Sequence, residues 1–141
     1  MSLVRFLIFF LSGIFLVSCT KEEPFQRINP VNDEFVISHD KSDGIPHFYR
    51  AEVEGRKIDF FVIKLNGQLM VFLNRCRKCF NSGLGFRFED RHIRCRACNV
   101  TYPVKEISKG IGSCYPLPVK ARSEGRYLRI KKEDLIQAYS F

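Results

Sequence analysis

Apolar and polar residues alternate along most of this chain in short runs, the pattern of β-strands rather than of long helices. The segments HFYRAEVEG (47–55) and KIDFFVIKL (57–65) are rich in aromatic and β-branched residues, as strands are. The pair Asn66-Gly67 separates the second segment from QLMVFL (68–73). Both central residues of a type I′ turn need positive φ, and Asn-Gly is the preferred pair there, so this stretch predicts a β-hairpin.

The later pattern adds further strands and a single helix. RFEDRHIRC (87–95) predicts a second hairpin with Glu89 and Asp90 at its bend, and PLPVKARSEGRYLRI (116–130) predicts two strands around Ser123-Glu124-Gly125. Only KKEDLIQAYSF (131–141) has apolar residues at helical spacing. The fold class predicted is mostly β: a small antiparallel β domain with a short C-terminal helix.

The first 19 residues have the pattern of an export signal. Arg5 precedes an apolar run, Phe6 to Val17, that is shorter than the ~20 residues needed to cross a bilayer as a helix. A charged start followed by a short apolar core is typical of a secretory signal peptide. Leu16-Val17-Ser18-Cys19 resembles the bacterial lipobox, which predicts a signal peptide at 1–18 and a lipid on Cys19. The alternative is an uncleaved anchor or an ordinary secreted protein.

The domain organisation follows from where the polar residues concentrate. Residues 19–45 are rich in Pro, Asn, Asp, Glu and Lys and include Pro24 and Pro30, which predicts a polar tether after the lipidated cysteine. Within it, EFVIS (34–38) has the pattern of a short strand. The length of 141 residues is that of one domain, which we place at 46–141.

The net charge of +8 raises the question of a polyanionic partner. Nucleic acid is one such partner, but the export signal argues against it. A solvated basic face is the preferred interpretation for most of the basic residues, ahead of attraction to anionic lipid headgroups. Several of the basic residues flank cysteines: Arg75, Arg77, Lys78, Arg94 and Arg96.

Four cysteines carry the strongest chemical signal in the sequence. Cys76, Cys79, Cys95 and Cys98 form C-x2-C-x15-C-x2-C, a spacing typical of a four-cysteine metal site. Two residues between thiols allow a tight turn to direct both sulfurs at one ion, and two facing turns complete a tetrahedron. Four thiolates suit Zn²⁺, a single iron or a [2Fe–2S] cluster.

Two other uses of these thiols remain open at this point. An exported protein meets an oxidising compartment, where cysteines form disulfides. A Cys-x-x-Cys pair beside Arg and Lys can also act as a redox dithiol. Neither pair continues as Cys-His, so the pattern for c-type haem attachment is absent from the sequence.

The cysteine region resembles the iron–sulfur-containing FtrD-like family of bacterial envelope proteins. The resemblance covers roughly residues 46–135 and places the two Cys-x-x-Cys pairs on those of the family. Three further features are shared with the family. Phe80 is an aromatic residue after the first pair, Gly85-Phe86 is a Gly-aromatic step, and Tyr102-Pro103-Val104 is an aromatic-Pro-Val segment after the second pair. Gly112, Cys114 and Pro116 resemble a Gly-rich stretch ending in Cys-Asn-Pro, although Tyr115 stands where the family has Asn.

The order of elements also resembles a distant Rieske arrangement: hairpin, ligand loop, hairpin, ligand loop, then a Pro-containing loop. Cys79 and Cys98 stand where Rieske centres have histidines, and all-Cys ligation implies a lower reduction potential. Cys114 is the candidate for a cofactor-binding loop that covers the site; a fifth ligand, a disulfide partner and a small buried cysteine are the alternatives. His92, three residues before Cys95, is interpreted as a surface histidine of the hairpin.

Two functions from different classes are consistent with these observations. The resemblance implies a membrane-anchored iron–sulfur or iron-binding lipoprotein that acts in electron transfer or iron uptake at the cell envelope, with a redox or iron-transport protein as partner. The alternative is a structural zinc module without redox activity. A dithiol oxidoreductase using Cys76 and Cys79 is a third and lesser possibility. We find no set of catalytic residues and expect no enzyme.

Overall fold

A computed structural model describes residues 25–38 and 44–141; the predicted signal peptide and Cys19 lie outside these ranges. The described residues form eleven strands and one α-helix. The strands are β1 Gln26–Ile28, β2 Glu34–Ser38, β3 His47–Val53, β4 Arg56–Leu65, β5 Gln68–Cys76, β6 Phe86–Glu89, β7 His92–Cys95, β8 Thr101–Pro103, β9 Pro116–Val119, β10 Arg122–Glu124 and β11 Tyr127–Lys131. Helix α1 spans Lys132–Tyr139, and short 3₁₀ helices span Phe80–Ser82 and Val104–Glu106.

The strands form three sheets with one in the middle. The central sheet has the order β1-β3-β4-β5-β9, and two three-stranded sheets, β10-β11-β2 and β6-β7-β8, complete the fold. All pairings are antiparallel except that of β1 with β3, which is parallel. The predicted class, a mostly β domain with a short C-terminal helix, is confirmed.

Strand β4 shows why the central sheet is covered on both faces. Phe60, Phe61, Val62 and Ile63 are consecutive and have no exposed surface. Successive side chains of a strand point to opposite faces, so an unbroken apolar run of this kind requires a packing layer on each side. Phe60 and Val62 belong to one core cluster, and Phe61 and Ile63 to the other.

The two core clusters have different neighbours. The first lies between the central sheet, the β10-β11-β2 sheet and α1, where Phe35, Leu128 and Leu135 are buried. The second lies between the central sheet and the β6-β7-β8 sheet, and it contains Phe72, Phe86 and Tyr102 together with the cysteines. The metal-binding candidates are therefore embedded in one of the two cores.

Two-residue turns with positive φ join the main hairpins. At the predicted Asn66-Gly67 turn, φ is 51° and 79° and Leu65 pairs with Gln68, as a type I′ turn requires. The second predicted hairpin forms as β6 and β7, but its turn is Asp90-Arg91, one residue later than predicted. The segment 116–130 contains three strands instead of two, and its last turn follows Glu124.

The predicted tether requires a correction for residues 25–38. Strand β1 pairs with β3, and β2 pairs with β11 from Glu34↔Lys131 to Ser38↔Tyr127. Phe35 has no exposed surface, so this segment belongs to the folded domain, which begins well before residue 46. The prediction was wrong because polar residues flank EFVIS on both sides, so the segment looked like a linker. The partner of this short strand, β11, lies at the far end of the chain.

Helix α1 packs on the first core through Leu135, which is fully buried. Its eight residues confirm the helix predicted in the last eleven residues. Within the ranges that the structure describes, no helix combines the length and the apolar character needed to cross a bilayer.

Candidate metal centre

Four cysteines from two loops converge at one end of the second core. Cys76 ends strand β5 and Cys79 precedes the first 3₁₀ helix, whereas Cys95 ends β7 and Cys98 lies in the turn that follows. Their four Sγ atoms all lie within 4.8 Å of one another. Cys76 and Cys95 are buried and the other two are half-buried, so the group reaches from the core to the surface.

The second loop folds around its sulfurs through backbone hydrogen bonds. The Cys95 N–H donates to the Val100 carbonyl (3.0 Å), and the Asn99 N–H donates to the Cys95 carbonyl (2.9 Å). Asn99 has φ of 58°, a left-handed conformation that Asn tolerates better than most residues. The N–H groups of Ala97 and Cys98 are directed at the Cys95 sulfur, and that of Val100 at the Cys98 sulfur.

The first loop is held against the segment 110–115. The Arg77 N–H donates to the Tyr115 carbonyl (2.9 Å), and the Lys78 N–H donates to the Ser113 carbonyl (3.2 Å). A Cβ on Gly110 would lie 2.2 Å from the Cys114 carbonyl oxygen, so only glycine fits in this turn. The segment is therefore fixed directly beside the first cysteine pair.

Asn74 connects the two cysteine loops. Its side chain is 8% exposed, and its Oδ1 accepts a hydrogen bond from the Phe86 N–H at 2.9 Å. Gly85, next to Phe86, accepts a hydrogen bond from the Arg96 N–H at 3.0 Å. These contacts set the start of β6 against the end of β5 and bring the second loop to the first.

Cys114 lies directly against the four thiols. Its Sγ is 3.6 Å from that of Cys76 and 3.3 Å from that of Cys98, one thiol of each pair. It is 1% exposed. The structure thus places the segment 110–115 against the four thiols, with the Cys114 sulfur in contact with one thiol of each pair.

The neighbouring thiols shift one another's ionisation. Burial and a hydrogen bond with Cys98 raise the pKa of Cys79 to about 12. Burial also disfavours charge on Cys98, but the Val100 N–H and the hydrogen bonds with surrounding thiols outweigh it and lower its pKa to about 7. Burial raises the pKa of Cys95 and Cys114. Without a cation, one thiolate in this group opposes the ionisation of the others.

Tyr102 supplies a buried hydroxyl beside the thiols. Its side chain is 2% exposed, and among the described residues its hydroxyl finds no hydrogen-bond partner. Burial raises the pKa of Tyr102, and the charges of four cysteines, Cys114 foremost, raise it further. A buried donor without an acceptor costs about 1–3 kcal/mol, and an electron-rich centre held by the thiols would offer the acceptor that the described residues do not.

The basic and aromatic residues around the first loop are linked to α1. Arg75 donates to the Phe80 carbonyl at 2.8 Å and to the Tyr139 hydroxyl at 3.0 Å. Its guanidinium carbon is 5.0 Å and 4.9 Å from the centroids of these two rings. Arg77 is similarly placed against Tyr115. Sequence reasoning did not foresee a role for Tyr139, because only the folded chain brings the helix to the loop.

His92 lies apart from the thiols. It is exposed on the β6–β7 hairpin, and its Nδ1 is 2.9 Å from the Asp90 carbonyl oxygen. This placement confirms its interpretation as a surface histidine.

The donor set fits a thiophilic metal. A tetrahedron of thiolates at 2.3 Å from one ion has Sγ–Sγ edges of about 3.8 Å, so the observed separations of up to 4.8 Å are close to those of a single-ion site. Two thiolates on each of two irons need a wider spread between the pairs. Both kinds of centre use the same four cysteines.

Comparison with known proteins bears on the same region. The model of a family described as "Membrane iron-sulfur containing protein FtrD-like" matches residues 42–141. No curated protein matches the sequence. Among solved structures, the ferredoxin of carbazole 1,9a-dioxygenase from Nocardioides aromaticivorans IC177 is similar at 16% identity, over 68% of this chain and 93% of that chain, with a TM-score of 0.43.

Proposed function

This chain belongs to the FtrD-like family of membrane iron–sulfur containing proteins, and on that basis we propose that it is an electron carrier of the bacterial cell envelope. The proposed centre is an iron–sulfur cluster, or iron, held by Cys76, Cys79, Cys95 and Cys98. The observation that supports it is the convergence of four thiols within 4.8 Å. We propose no enzymatic activity, and a dithiol reaction of Cys76 and Cys79 is the lesser alternative.

Each side of the site has a separate task in this proposal. When bound, an iron–sulfur centre supplies a one-electron redox couple. Cys76 and Cys95 hold it on the buried side, where Phe86 and Tyr102 exclude water. The N–H groups directed at Cys95 and Cys98 stabilise negative charge on the sulfurs, which favours the reduced state.

Electrons enter and leave by the half-buried side. Cys79 and Cys98 are only partly covered, and the loops around them expose two large apolar side chains, Leu84 (55%) and Ile111 (53%). The basic residues of the same loops favour a partner with negative charge. Such charge complementarity speeds association more than it adds affinity. A redox protein or an iron-transport protein of the envelope is the proposed partner.

Membrane attachment is proposed through the lipid on Cys19. The family is described as one of membrane proteins, and Leu16-Val17-Ser18-Cys19 resembles a lipobox. One acyl chain alone gives only marginal binding, so stable anchoring takes a second signal. A diacylglycerol on this cysteine has two chains. A role in iron uptake at the same membrane belongs to this proposal.

The test is a visible absorption spectrum with iron, sulfide and zinc analysis, on mature protein purified anaerobically from its own membrane. We expect iron, with sulfide for a cluster and without sulfide for a single iron, and a visible band that disappears in Cys76→Ser. The matched control is Cys19→Ser, which removes the predicted lipid-bearing cysteine; it should keep the colour, and mass spectrometry should show a chain without lipid.

A structural zinc site is the second candidate, because four thiols within 4.8 Å fit one Zn²⁺ as well as one iron. Zn²⁺ with four cysteines stabilises small domains outright. One zinc per chain with no visible band would contradict the electron-carrier proposal and support this one. Absence of metal together with blocked thiols would contradict both and indicate disulfides.

A further inference from the structure

Cys114 is a fifth thiol at a centre that needs four. Its sulfur lies 3.3 Å from that of Cys98 and 3.6 Å from that of Cys76, within the range of hydrogen bonds that involve sulfur. It touches one member of each Cys-x-x-Cys pair, and it is not among the four thiols that lie within 4.8 Å of one another. Its position is that of a neighbour of two ligands.

The backbone holds this thiol in place. The Cys114 N–H donates to the Ile111 carbonyl (3.0 Å), and the Ile111 N–H donates back to the Cys114 carbonyl (3.3 Å). The residues on either side of Cys114, Ser113 and Tyr115, accept hydrogen bonds from the first cysteine loop. The sulfur is therefore directed at the ligands by contacts that precede and follow it in the chain.

Metal binding decides which of these thiols can donate a hydrogen bond. Four thiolates complete the tetrahedral donor set of a metal ion, and Cys114 lies outside the group of four while its sulfur contacts those of Cys98 and Cys76. Once Cys76 and Cys98 hold the metal, they have no proton to donate. The only S–H among the three is then that of Cys114.

We propose that Cys114 is the hydrogen-bond donor of the metal centre, giving its S–H to the metal-bound sulfur of Cys98, with that of Cys76 as the second acceptor. The hydrogen bond withdraws negative charge from the thiolate. Because this lowers the repulsion among the four thiolates, it raises the affinity of the site for the metal. This inference rests on the proposed metal centre but does not depend on which metal occupies it.

The test uses full-length protein with reduced thiols, loaded with Co²⁺ as the probe. The sulfur-to-cobalt charge-transfer band reports both the number of thiolates and their electron density. In Cys114→Ala we expect the intensity of four thiolates, a band shifted to lower energy, and Co²⁺ affinity reduced by ~10-fold or more, as for other residues that support ligands. Cys114→Ser keeps a donor and should restore affinity and band position.

Controls separate this role from packing. Ser113→Ala changes the exposed neighbouring side chain and should match the wild type, and Cys114→Val fills the space of the thiol without a donor and should behave like the Ala variant. Loss of about a quarter of the charge-transfer intensity in Cys114→Ala would make Cys114 a ligand and overturn the proposal. So would an Ala variant identical to the wild type, a Ser variant that restores nothing, or a reduced wild type that binds no Co²⁺. Native metal analysis decides the electron-carrier proposal independently.

Discussion

At the scale of single residues, the Tyr102 hydroxyl is a hydrogen-bond donor that the fold leaves available for a ligand. It is buried beside the thiols and has no partner among the described residues. The metal-free protein bears the cost of this buried hydroxyl. On the proposed function, a bound centre would accept its hydrogen bond and remove that cost, so the hydroxyl would destabilise the metal-free protein and not the loaded one.

We predict that Tyr102→Phe stabilises the metal-free protein by about 1 kcal/mol, because it removes a buried donor without an acceptor. In the metal-loaded protein the same change should give no gain or a loss. Urea unfolding of both forms measures the difference. Equal effects in the two forms would show that the hydroxyl does not meet the centre.

A second prediction concerns Gly85, whose φ is +67° and whose added Cβ would lie 2.5 Å from the Asn74 side chain. Gly85→Ala should cost about 1–2 kcal/mol for the left-handed backbone and about 1 kcal/mol more for the displaced Asn74–Phe86 hydrogen bond. Gly125→Ala is the matched control, because its φ is +55° and nothing lies within 4 Å of the added Cβ. If both variants lose the same unfolding free energy, the Asn74 contact adds nothing.

These residues also show how far the sequence predicts the site. The spacing of Cys76, Cys79, Cys95 and Cys98 predicted their convergence, because the geometry is local to two turns joined by one hairpin. No local pattern marks Asn74 or Tyr139, since each forms its hydrogen bond with a residue distant in the chain. Asn74 accepts from the Phe86 N–H, and Tyr139 accepts from Arg75, 64 positions away. The contact of Cys114 with the ligands was expected only through resemblance to a family.

At the scale of elements, the pairing of β2 with β11 is the largest difference from expectation. The hairpins around Asn66-Gly67 and Asp90-Arg91 were predictable because turn chemistry and strand pattern lie side by side. Strand β2 has five residues, and the Asn32-Asp33 turn before it joins Glu34 only to Val31, not to β11. Its place follows from burial of Phe35 and Ile37 in the first core, which only the assembled sheets provide.

We predict that a chain of residues 25–141 folds with the stability of the mature protein, whereas one of residues 46–141 does not. The shorter chain leaves β11 without its partner and removes Phe35 from the core, and truncation of a buried Phe alone costs about 3–5 kcal/mol. Thermal unfolding followed by circular dichroism compares the two. A cooperative transition of equal midpoint in the shorter chain would show that residues 25–45 are a tether, as predicted from the sequence.

At the scale of the whole molecule, the central sheet separates two cores, and the candidate metal site belongs to one of them. The second core contains the five cysteines of the described residues, and the β6-β7-β8 sheet packs on the central sheet beside them. Among the described residues, the first core, under the β10-β11-β2 sheet and α1, contains no cysteine. On the proposed function, a bound metal would therefore stabilise one side of the protein directly.

We predict that removing the metal with a chelator under reducing conditions accelerates amide hydrogen exchange in β6, β7 and β8 by ~10-fold or more, while β2 and β11 change little. Exchange reports local opening, and its free energy differs between parts of one structure. Mass spectrometry on the loaded and metal-free protein resolves the two regions. A uniform increase would mean that both cores open together.

The pairing of Glu34 with Lys131 also determines when the protein can finish folding. Ribosomes add about 5–20 residues per second, so β2 waits on the order of 5–20 s for the strand that completes its sheet. Throughout that interval the apolar side chains of β2 lack their cover, and by about its last third both cysteine pairs have been synthesised. The thiols can therefore meet metal, or oxidant, before the opposite side of the domain has closed.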